Sequence, residues 1–212
     1  MNFLDFFQVE RIHIFLERVT DHYAIDAQKL PEDWKLSFHF LGRRMRYRDA
    51  FQYASHNLLR RNVMIMNADC YVDKGFERVD ESILNNKTMY ALTRHETPEN
   101  VRLCRAREFC GPTSKYGGSH DAFLFRLLEP LPYQLLESID YRPNIEGIEN
   151  VLMFNFYKYA RFKTKNPCKI LRIVHHHCSG IRNWTERFIQ GKRIDRHLNI
   201  RGKFWKAPFS GL

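Results

Sequence analysis

An amphipathic helix followed at once by a short apolar segment is the feature that most constrains the fold of this chain. Phe51, Ala54 and Leu58 recur at the spacing of one helix face, which predicts a helix. We place this helix over residues 47–61, directly before the apolar run Asn62–Met66, which is typical of a buried parallel strand. Because consecutive parallel strands need a crossover connection, this order predicts an α/β fold.

The rest of the chain continues this alternation of strands and helices. Alternating or continuous apolar runs predict further strands at residues 9–16, 35–41, 89–92, 122–125 and 168–174. Helical patterns predict helices at residues 80–84 and 150–162, and a polar loop is expected around residues 104–118. We therefore expect a single α/β domain over residues 1–212, with a central, mostly parallel, mixed sheet flanked by helices.

The chain is strongly basic, and its basic residues are clustered. Its 34 Lys and Arg against 24 Asp and Glu leave a formal net charge of +10. Such a surface attracts phosphate groups, whether on nucleic acid, on an anionic membrane or on a nucleotide. One cluster is Arg43, Arg44, Arg46 and Arg48, and another lies within residues 187–206. Ordinary solvated charge is the alternative for each cluster.

Cysteine use and hydropathy bear on where the chain operates. The cysteines are five in number and scattered: Cys70, Cys104, Cys110, Cys168 and Cys178. This pattern predicts reduced thiols in a cytoplasmic protein rather than a disulfide scaffold. No apolar run approaches the ~18 residues that span a bilayer, and the N-terminal segment lacks the layout of a signal peptide. We therefore expect no membrane span.

An acidic, polar turn follows the predicted strand Asn62–Met66. Asn67 and Asp69 lie in this turn, and α/β sheets bind ligands beyond the carboxyl ends of their strands. A carboxylate at such a position is costly unless it is paired or binds a metal. A hard divalent cation held together with a diphosphate, such as Mn²⁺ or Mg²⁺, is a partner that fits. The alternative is that Asp69 caps a turn or the short helix that follows.

Three histidines follow the last predicted strand. On an extended backbone His175 and His177 face one way and His176 the other, so the three do not share one role. One of them is a candidate to bind the metal, while the guanidinium of Arg182 nearby holds a phosphate. Surface histidines without a ligand are one alternative, and a zinc site is another, although no Cys-x-x-Cys pair supports it. The ligands of such a zinc site would be His177, Cys178, Cys104 and Cys110.

Several short motifs occur in order between residues 35 and 184. They are Gly42-Arg43 before a helix, Asn67-Ala68-Asp69 after a strand, Ala91-Leu92-Thr93-Arg94, Ser119-His120-Asp121, Gly147-Ile148-Glu149-Asn150, and His177-Cys178-Ser179-Gly180-Ile181-Arg182. In this order they resemble a group of nucleotide-sugar-dependent glycosyltransferases with the GT-A fold. Within that group, the chain most resembles the glycosyltransferase domains that chlorella viruses encode.

The resemblance implies a GT-A catalytic domain that forms the N-terminal part of a longer polypeptide. Its donor would be a nucleotide sugar, usually a UDP-sugar, and its cofactor a divalent cation, usually Mn²⁺, with Mg²⁺ as the other choice. The implied reaction moves a hexose or a deoxyhexose to an oligosaccharide or glycoprotein acceptor, with no nucleic acid as a partner. In a viral enzyme the acceptor would be a capsid protein and the location the host cytoplasm.

The resemblance also implies roles for residues around the metal and the leaving group. The first acid of the family's Asp-x-Asp motif is Asn67 here, so Asp69 is the one carboxylate ligand and Asn67 is left to bond the ribose. His177 is the second metal ligand that we expect, with His175 in reserve. The cations expected at the leaving diphosphate are Arg182 with either Lys163 or Lys165.

The remaining implied roles concern the nucleotide, the sugar and the acceptor. Arg43 would hold the nucleotide by charge, and Tyr47 would hold it by stacking or by a hydroxyl hydrogen bond. Asp121 would bind the sugar hydroxyls, and Arg94 would reach the sugar or the neighbouring carboxylate. Glu149 would deprotonate the acceptor hydroxyl as a general base. Both an inverting and a retaining outcome stay open.

A basic nucleic-acid-binding module without catalytic activity is the alternative of a different class. It is favoured by the net charge of +10 and by aromatic residues among the basic ones. These aromatic residues are Tyr157, Tyr159, Phe162, Phe204 and Trp205. This alternative gives no reason for an acid at the strand end. A third hypothesis is a catalytically silent scaffold that keeps the fold.

Overall fold

The computed structural model describes residues 9–18, 20, 35–143, 147–176, 188–189, 192–193 and 206–212. Its strands are β1 (Ile12–Leu16), β2 (Leu36–Phe40), β3 (Asn62–Met66), β4 (Cys70–Val72), β5 (Thr88–Leu92), β6 (His95–Glu96), β7 (Ala122–Arg126), β8 (Lys163–Lys165), β9 (Ile173–His175), β10 (Phe188–Ile189) and β11 (Lys192–Arg193). Its helices are α1 (Tyr47–Asn57), α2 (Glu81–Asn85), α3 (Pro98–Cys104), α4 (Tyr133–Ser138) and α5 (Ile148–Ala160), with a 3₁₀ turn at Phe76–Arg78. The α/β class and the mixed sheet expected from the sequence are confirmed.

The largest sheet has four strands in the order β3-β7-β5-β8. β7 runs antiparallel to both β3 and β5, and β5 runs parallel to β8. Three strands therefore share one direction, and the expectation of a mostly parallel sheet fails at β7, whose two pairings are both antiparallel. An apolar run shows that a strand is buried, but the direction of that strand depends on the connection that leads into it.

The described residues also form three smaller sheets. β1 pairs parallel with β2, β10 pairs antiparallel with β11, and β4, β9 and β6 form a three-stranded sheet with β9 in the middle. The predicted strand at 168–174 is wrong over most of its length, because residues 168–170 form a turn after Pro167. The amides of Ile170 and Leu171 both donate to the carbonyl oxygen of Pro167, each over 2.8 Å. Only the end of the apolar run pairs as β9.

The helices with the clearest periodicity are confirmed, with shifted ends. α1 ends at Asn57, four residues before the predicted end, and α5 begins after Gly147, which has φ 80°. Two helices were not predicted. α3 begins in the ordinary way, because the Thr97 side chain accepts from the Asn100 amide and Pro98 is the first helical residue. α4 begins directly after Pro132.

Successive residues of β7 point to two separate parts of the core. Phe123 and Phe125 pack on one face of the sheet against α1, α4 and α5, and the Phe51 and Phe156 rings meet there with centroids 4.7 Å apart. Leu124 packs on the other face among residues of β5 and the segment that leads into β9. This alternation is the period of two that a strand buried on both faces requires.

The cysteines differ from the expectation. Cys110 and Cys168 form a disulfide with their Cα atoms 6.3 Å apart, and Cys104 is also disulfide-bonded. Cys70 is free and buried. The expected reduced thiols are therefore wrong for these three residues, and the zinc alternative fails because the thiols of Cys104 and Cys110 are not free to bind a metal. Pairing depends on which segments pack together, and cysteine spacing does not show this.

No helix in the part of the chain that the structure describes has the length and apolar character needed to cross a bilayer.

Candidate functional site

The turn that follows β3 brings Asp69 beside β9. β4 begins at the next residue and pairs antiparallel with β9, with Cys70 opposite His175. The amide of His176 donates to the carbonyl oxygen of Asp69 over 2.9 Å. As a result, Nε2 of His175 lies 3.3 Å from Oδ2 of Asp69, whose side chain is 46% exposed. The structure thus brings together two of the three expected metal ligands, and the third, His177, lies outside the described residues.

A buried carboxylate contacts the other nitrogen of the His175 ring. β6 pairs parallel with β9 so that Glu96 is opposite His175, and Oε2 of Glu96 lies 2.9 Å from Nδ1. The Glu96 side chain is only 1% exposed, and its other oxygen accepts from Nε of Arg94 over 2.9 Å. Nδ2 of Asn100 donates to Glu96 and to the carbonyl oxygen of His175. No role was predicted for Glu96 or Asn100, because nothing in the linear order links either residue to His175.

Arg94 joins Glu96 to a second carboxylate, which lies just before β7. Nη1 of Arg94 donates to Oδ1 of Asp121 over 2.8 Å, and both side chains are largely buried. Because β7 is antiparallel to its neighbours, its first residues lie at the edge where β3 and β5 end. There the backbone N–H of Asn67 donates to the carbonyl oxygen of Asp121. The backbone N–H of Asp121 donates to the carbonyl oxygen of Leu92. Three predicted residues, Asn67, Arg94 and Asp121, therefore meet at this edge.

Burial and ion pairing set the charges of this cluster. Burial alone would raise the pKa of Glu96, but hydrogen bonds, foremost those from Arg94 and His175, outweigh it and lower the pKa. Burial raises the pKa of Asp121, and the attraction of Arg94 offsets only part of that rise. Burial would lower the pKa of Arg94, yet its two carboxylate partners raise it. At neutral pH Glu96 is therefore an anion and Arg94 a cation.

The donors at Asp69 and His175 fit a divalent cation. The carboxylate suits Mn²⁺ or Mg²⁺, whereas the imidazole suits Zn²⁺, Fe²⁺ or Ni²⁺, so the pair can bind Mn²⁺ but does not select it over those metals. Adjacent ligands of an octahedral ion, each about 2.1 Å from it, stand roughly 3 Å apart. The 3.3 Å between Nε2 and Oδ2 is close to that separation. Among the described residues no group of three or more His, Cys, Asp or Glu is arranged to hold a metal, so phosphate and water oxygens would complete the shell.

Tyr47 lies inside the core at the start of α1. It is 5% exposed, and its ring packs edge-on against Phe123 with centroids 6.0 Å apart. Stacking of a base on Tyr47 is therefore excluded, because the ring is already covered. Burial, with smaller contributions from Glu149 and Asp121, raises the pKa of the Tyr47 hydroxyl well above its usual value. The two carboxylates expected to act on the sugar and the acceptor thus lie near the same phenol.

Arg43 lies at a cavity between β2 and α1. Its guanidinium donates to both carboxylate oxygens of Asp49, over 2.8 and 2.6 Å, and stays about half exposed. The cavity has a volume of about 740 Å³. Its lining is mostly polar and basic, and includes Arg43, Arg46, Arg48, His39, His56, Tyr53 and Asp140. The cavity therefore offers an aromatic ring and several guanidinium groups, each already paired with a carboxylate, to a polar ligand next to the helix start that Tyr47 occupies.

The two predicted lysines lie away from the sheet edge at which Asn67, Arg94 and Asp121 meet. Lys163 is opposite Thr88, at the beginning of β5, whereas Arg94 follows its end. Lys165 is further along β8, and its Nζ donates to the carbonyl oxygen of Leu212 over 2.8 Å. Lys163 therefore does not lie with Arg94 and its carboxylate partners. Lys165 is hydrogen-bonded to Leu212, the last residue of the sequence.

Comparison with known protein families, curated proteins and solved structures finds no match to this chain. The motif that contains Arg182 lies outside the described residues. The functional hypothesis therefore depends on the remaining motifs and on the geometry of the Asp69 and His175 edge.

Proposed function

We propose that this chain is a metal-dependent glycosyltransferase that moves a hexose or a deoxyhexose from a UDP-sugar to a glycan acceptor. The observation that carries the proposal is the contact of Asp69 with His175, beside the buried ion pair of Arg94 and Asp121. These residues lie at the edge where α/β sheets bind ligands. The ordered motifs that resemble GT-A glycosyltransferases support the same function.

Asp69 and His175 would hold the divalent cation, Mn²⁺ or Mg²⁺. When bound, such an ion acts as a Lewis acid that neutralises the charge growing on a departing diphosphate. The exposed carboxylate of Asp69 is accessible to a nucleotide, while the buried carboxylate of Glu96 contacts Nδ1 of His175. The cavity at Arg43 is the proposed place for the rest of the nucleotide.

Two carboxylates are proposed to act on the sugar and on the acceptor. Oδ1 of Asp121 already accepts from the side chains of Arg94 and Asn67, whereas Oδ2 has a long contact, 3.4 Å, with the Ser119 hydroxyl. Oδ2 thus keeps the capacity to accept a hydrogen bond from a sugar hydroxyl, and Asp121 is held in place before the sugar binds. Glu149, in the first turn of α5, is the proposed general base, and an acid that only stabilises the start of the helix is the alternative role.

The arginine cluster gives little support to the nucleic-acid alternative. All four of its members are paired with carboxylates: Arg43 with Asp49, Arg44 with Glu17, Arg46 with Asp140 and Arg48 with Glu137. These carboxylates reduce the positive potential that a polynucleotide would meet, and counterion release from phosphates depends on that potential.

The location and the acceptor are also proposals. The Cys110–Cys168 disulfide and the disulfide-bonded Cys104 favour an oxidising compartment over the cytoplasm, because cytosolic reductants keep thiols reduced. An oligosaccharide or glycoprotein acceptor, and a capsid protein in a viral setting, rests on the resemblance alone.

Calorimetric titration of the full chain with UDP, with and without Mn²⁺, tests the proposal. We expect UDP binding that requires Mn²⁺ and that Asp69→Asn abolishes. Asp73→Asn is the matched control, because Asp73 also follows β3 closely but its carboxylate pairs with Arg172. The proposal fails if UDP does not bind and the chain instead binds polynucleotides with a steep salt dependence.

A further inference from the structure

Glu96 and Asp69 contact opposite nitrogens of the same imidazole. Oε2 of Glu96 lies 2.9 Å from Nδ1 of His175, and Oδ2 of Asp69 lies 3.3 Å from Nε2. The Glu96 carboxylate is nearly inaccessible to solvent, whereas the Asp69 carboxylate is open to it. A ligand at this edge therefore touches Asp69, and Glu96 influences that ligand only through the ring.

The contacts of Glu96 determine which nitrogen of His175 carries the hydrogen. An ionised carboxylate only accepts hydrogen bonds, and Glu96 accepts from Arg94 over 2.9 Å and from Asn100 over 3.1 Å. Nδ1 of His175 must then be the donor in its contact with Glu96. In the neutral ring Nε2 then carries no hydrogen, and its lone pair is available to bind a metal.

The lone pair on Nε2 faces another acceptor. Oδ2 of Asp69 has no hydrogen to donate when ionised, so the neutral His175 ring and Asp69 present two acceptors to each other across 3.3 Å. A positive charge between the two atoms, either a second ring proton or a metal cation, makes this arrangement favourable. Asn100 fixes the arrangement further, because its Nδ2 also donates to the carbonyl oxygen of His175 over 2.9 Å.

We propose that Glu96 is a positioning residue that holds His175 in its Nδ1–H form and so presents Nε2, together with Asp69, to a divalent cation. This inference rests on the proposed function, since it takes the cation of that function as the ligand. A carboxylate that accepts from the second nitrogen of a metal-binding histidine fixes the ring and raises its basicity. Loss of such a partner typically costs roughly 10–100-fold in metal affinity.

The first measurement is the tautomer of His175, read from imidazole ¹⁵N chemical shifts of the full chain at pH 8.5 without metal. His175→Ala assigns the signals. We expect the Nδ1–H form in the wild-type chain. In Glu96→Gln, Arg94 holds the amide oxygen, so the amide NH₂ group faces Nδ1, and we expect the Nε2–H form. A purely structural role of Glu96 would not exchange the two tautomers.

The second measurement is the affinity for Mn²⁺ alone, by calorimetry or electron paramagnetic resonance. Glu96→Gln should weaken it by roughly 10–100-fold. Glu99→Gln is the control: Glu99 lies three residues from Glu96, in the first turn of α3, and its side chain is exposed. We expect Glu99→Gln to keep the wild-type affinity.

The outcomes separate this inference from the proposed function. The tautomer exchange together with weaker Mn²⁺ binding in Glu96→Gln supports the positioning role. An Nε2–H ring in the wild-type chain overturns it, even if Glu96→Gln folds poorly. Wild-type Mn²⁺ binding that Glu96→Gln leaves unchanged also overturns it, while the proposed function stands. A wild-type chain that binds no Mn²⁺ overturns the metal-dependent function and the role of Glu96 with it.

Discussion

Nε2 of His175 lies 3.3 Å from Oδ2 of Asp69, although 106 positions separate the two residues in the chain. The contact exists because β4, which begins directly after Asp69, pairs with β9, which ends at His175. Two short strands thus carry a carboxylate and an imidazole to one point of the surface.

Asp69 and His175 should behave as one unit in Mn²⁺ binding. If both contact the same ion, the loss from Asp69→Asn and His175→Ala together will be smaller than the sum of the single losses. We expect a coupling free energy of about 0.5–3 kcal/mol in a double-mutant cycle, measured by titration with Mn²⁺. Asp73→Asn combined with His175→Ala is the control and should be additive, because Asp73 pairs with Arg172. Additive losses for the first pair would contradict a shared ion.

Arg94→Ala should destabilise the fold as well as the site. Arg94 pairs with Glu96 and Asp121, and removing it leaves two buried carboxylates without their cation. We expect a loss of about 3–5 kcal/mol in the free energy of unfolding, measured in urea. Arg61→Ala is the exposed counterpart, because Arg61 pairs with Glu10 at the surface, and its effect should be about 0–1 kcal/mol. Similar losses for the two variants would show that the buried pairs carry little stability.

The sequence was sufficient for elements whose patterns are local. β3, β5 and β7 are continuous apolar runs, and α1 and α5 have a clear helical period, so each could be predicted with only small errors at its ends. β4 and β6 could not be predicted, because strands of two or three residues exist only through their pairing with β9. The direction of β7 depends on its connection, which a pattern within the strand does not contain.

The site also contains residues that the sequence could predict and residues that it could not. Asn67 and Asp69 could be predicted because they directly follow an apolar strand, which places them at its carboxyl end. The role of Glu96 could not, since it depends on a register between two strands that are far apart in the chain. Burial of the Tyr47 ring could not be predicted, because an aromatic residue at a helix start has the same pattern whether it stacks on a ligand or packs on Phe123.

His120 should make the protein less stable at mildly acidic pH. Its ring is buried, Nδ1 lies 3.0 Å from the carbonyl oxygen of Ala91, and burial lowers the pKa of the ring to about 4. In the unfolded chain an ordinary histidine has a pKa of about 6.5, so only the unfolded chain binds this proton between the two values. The contribution is fully present above pH 6.5 and is lost as the pH falls to about 4.

Urea unfolding at pH 7 and pH 4.5 measures this effect. The fall in the free energy of unfolding between the two pH values should be smaller in His120→Gln, by up to about 3 kcal/mol, because glutamine does not titrate. Glutamine can also replace both hydrogen bonds of the ring, the one to Ala91 and the one with Tyr116. An equal fall in both proteins would mean that His120 is not held neutral by burial.

The Cys110–Cys168 disulfide should stabilise the loop that packs on the candidate site. It closes a loop with a sequence separation of 58, for which the chain-entropy relation gives about 4 kcal/mol. Phe109, the residue directly before Cys110, has its ring under the guanidinium of Arg94 at 5.1 Å, so we expect the double Cys→Ser variant to lose both stability and Mn²⁺-dependent UDP binding. Peptide mapping without reduction should recover the cross-linked pair. A reductant that leaves the wild-type free energy of unfolding unchanged would contradict this role.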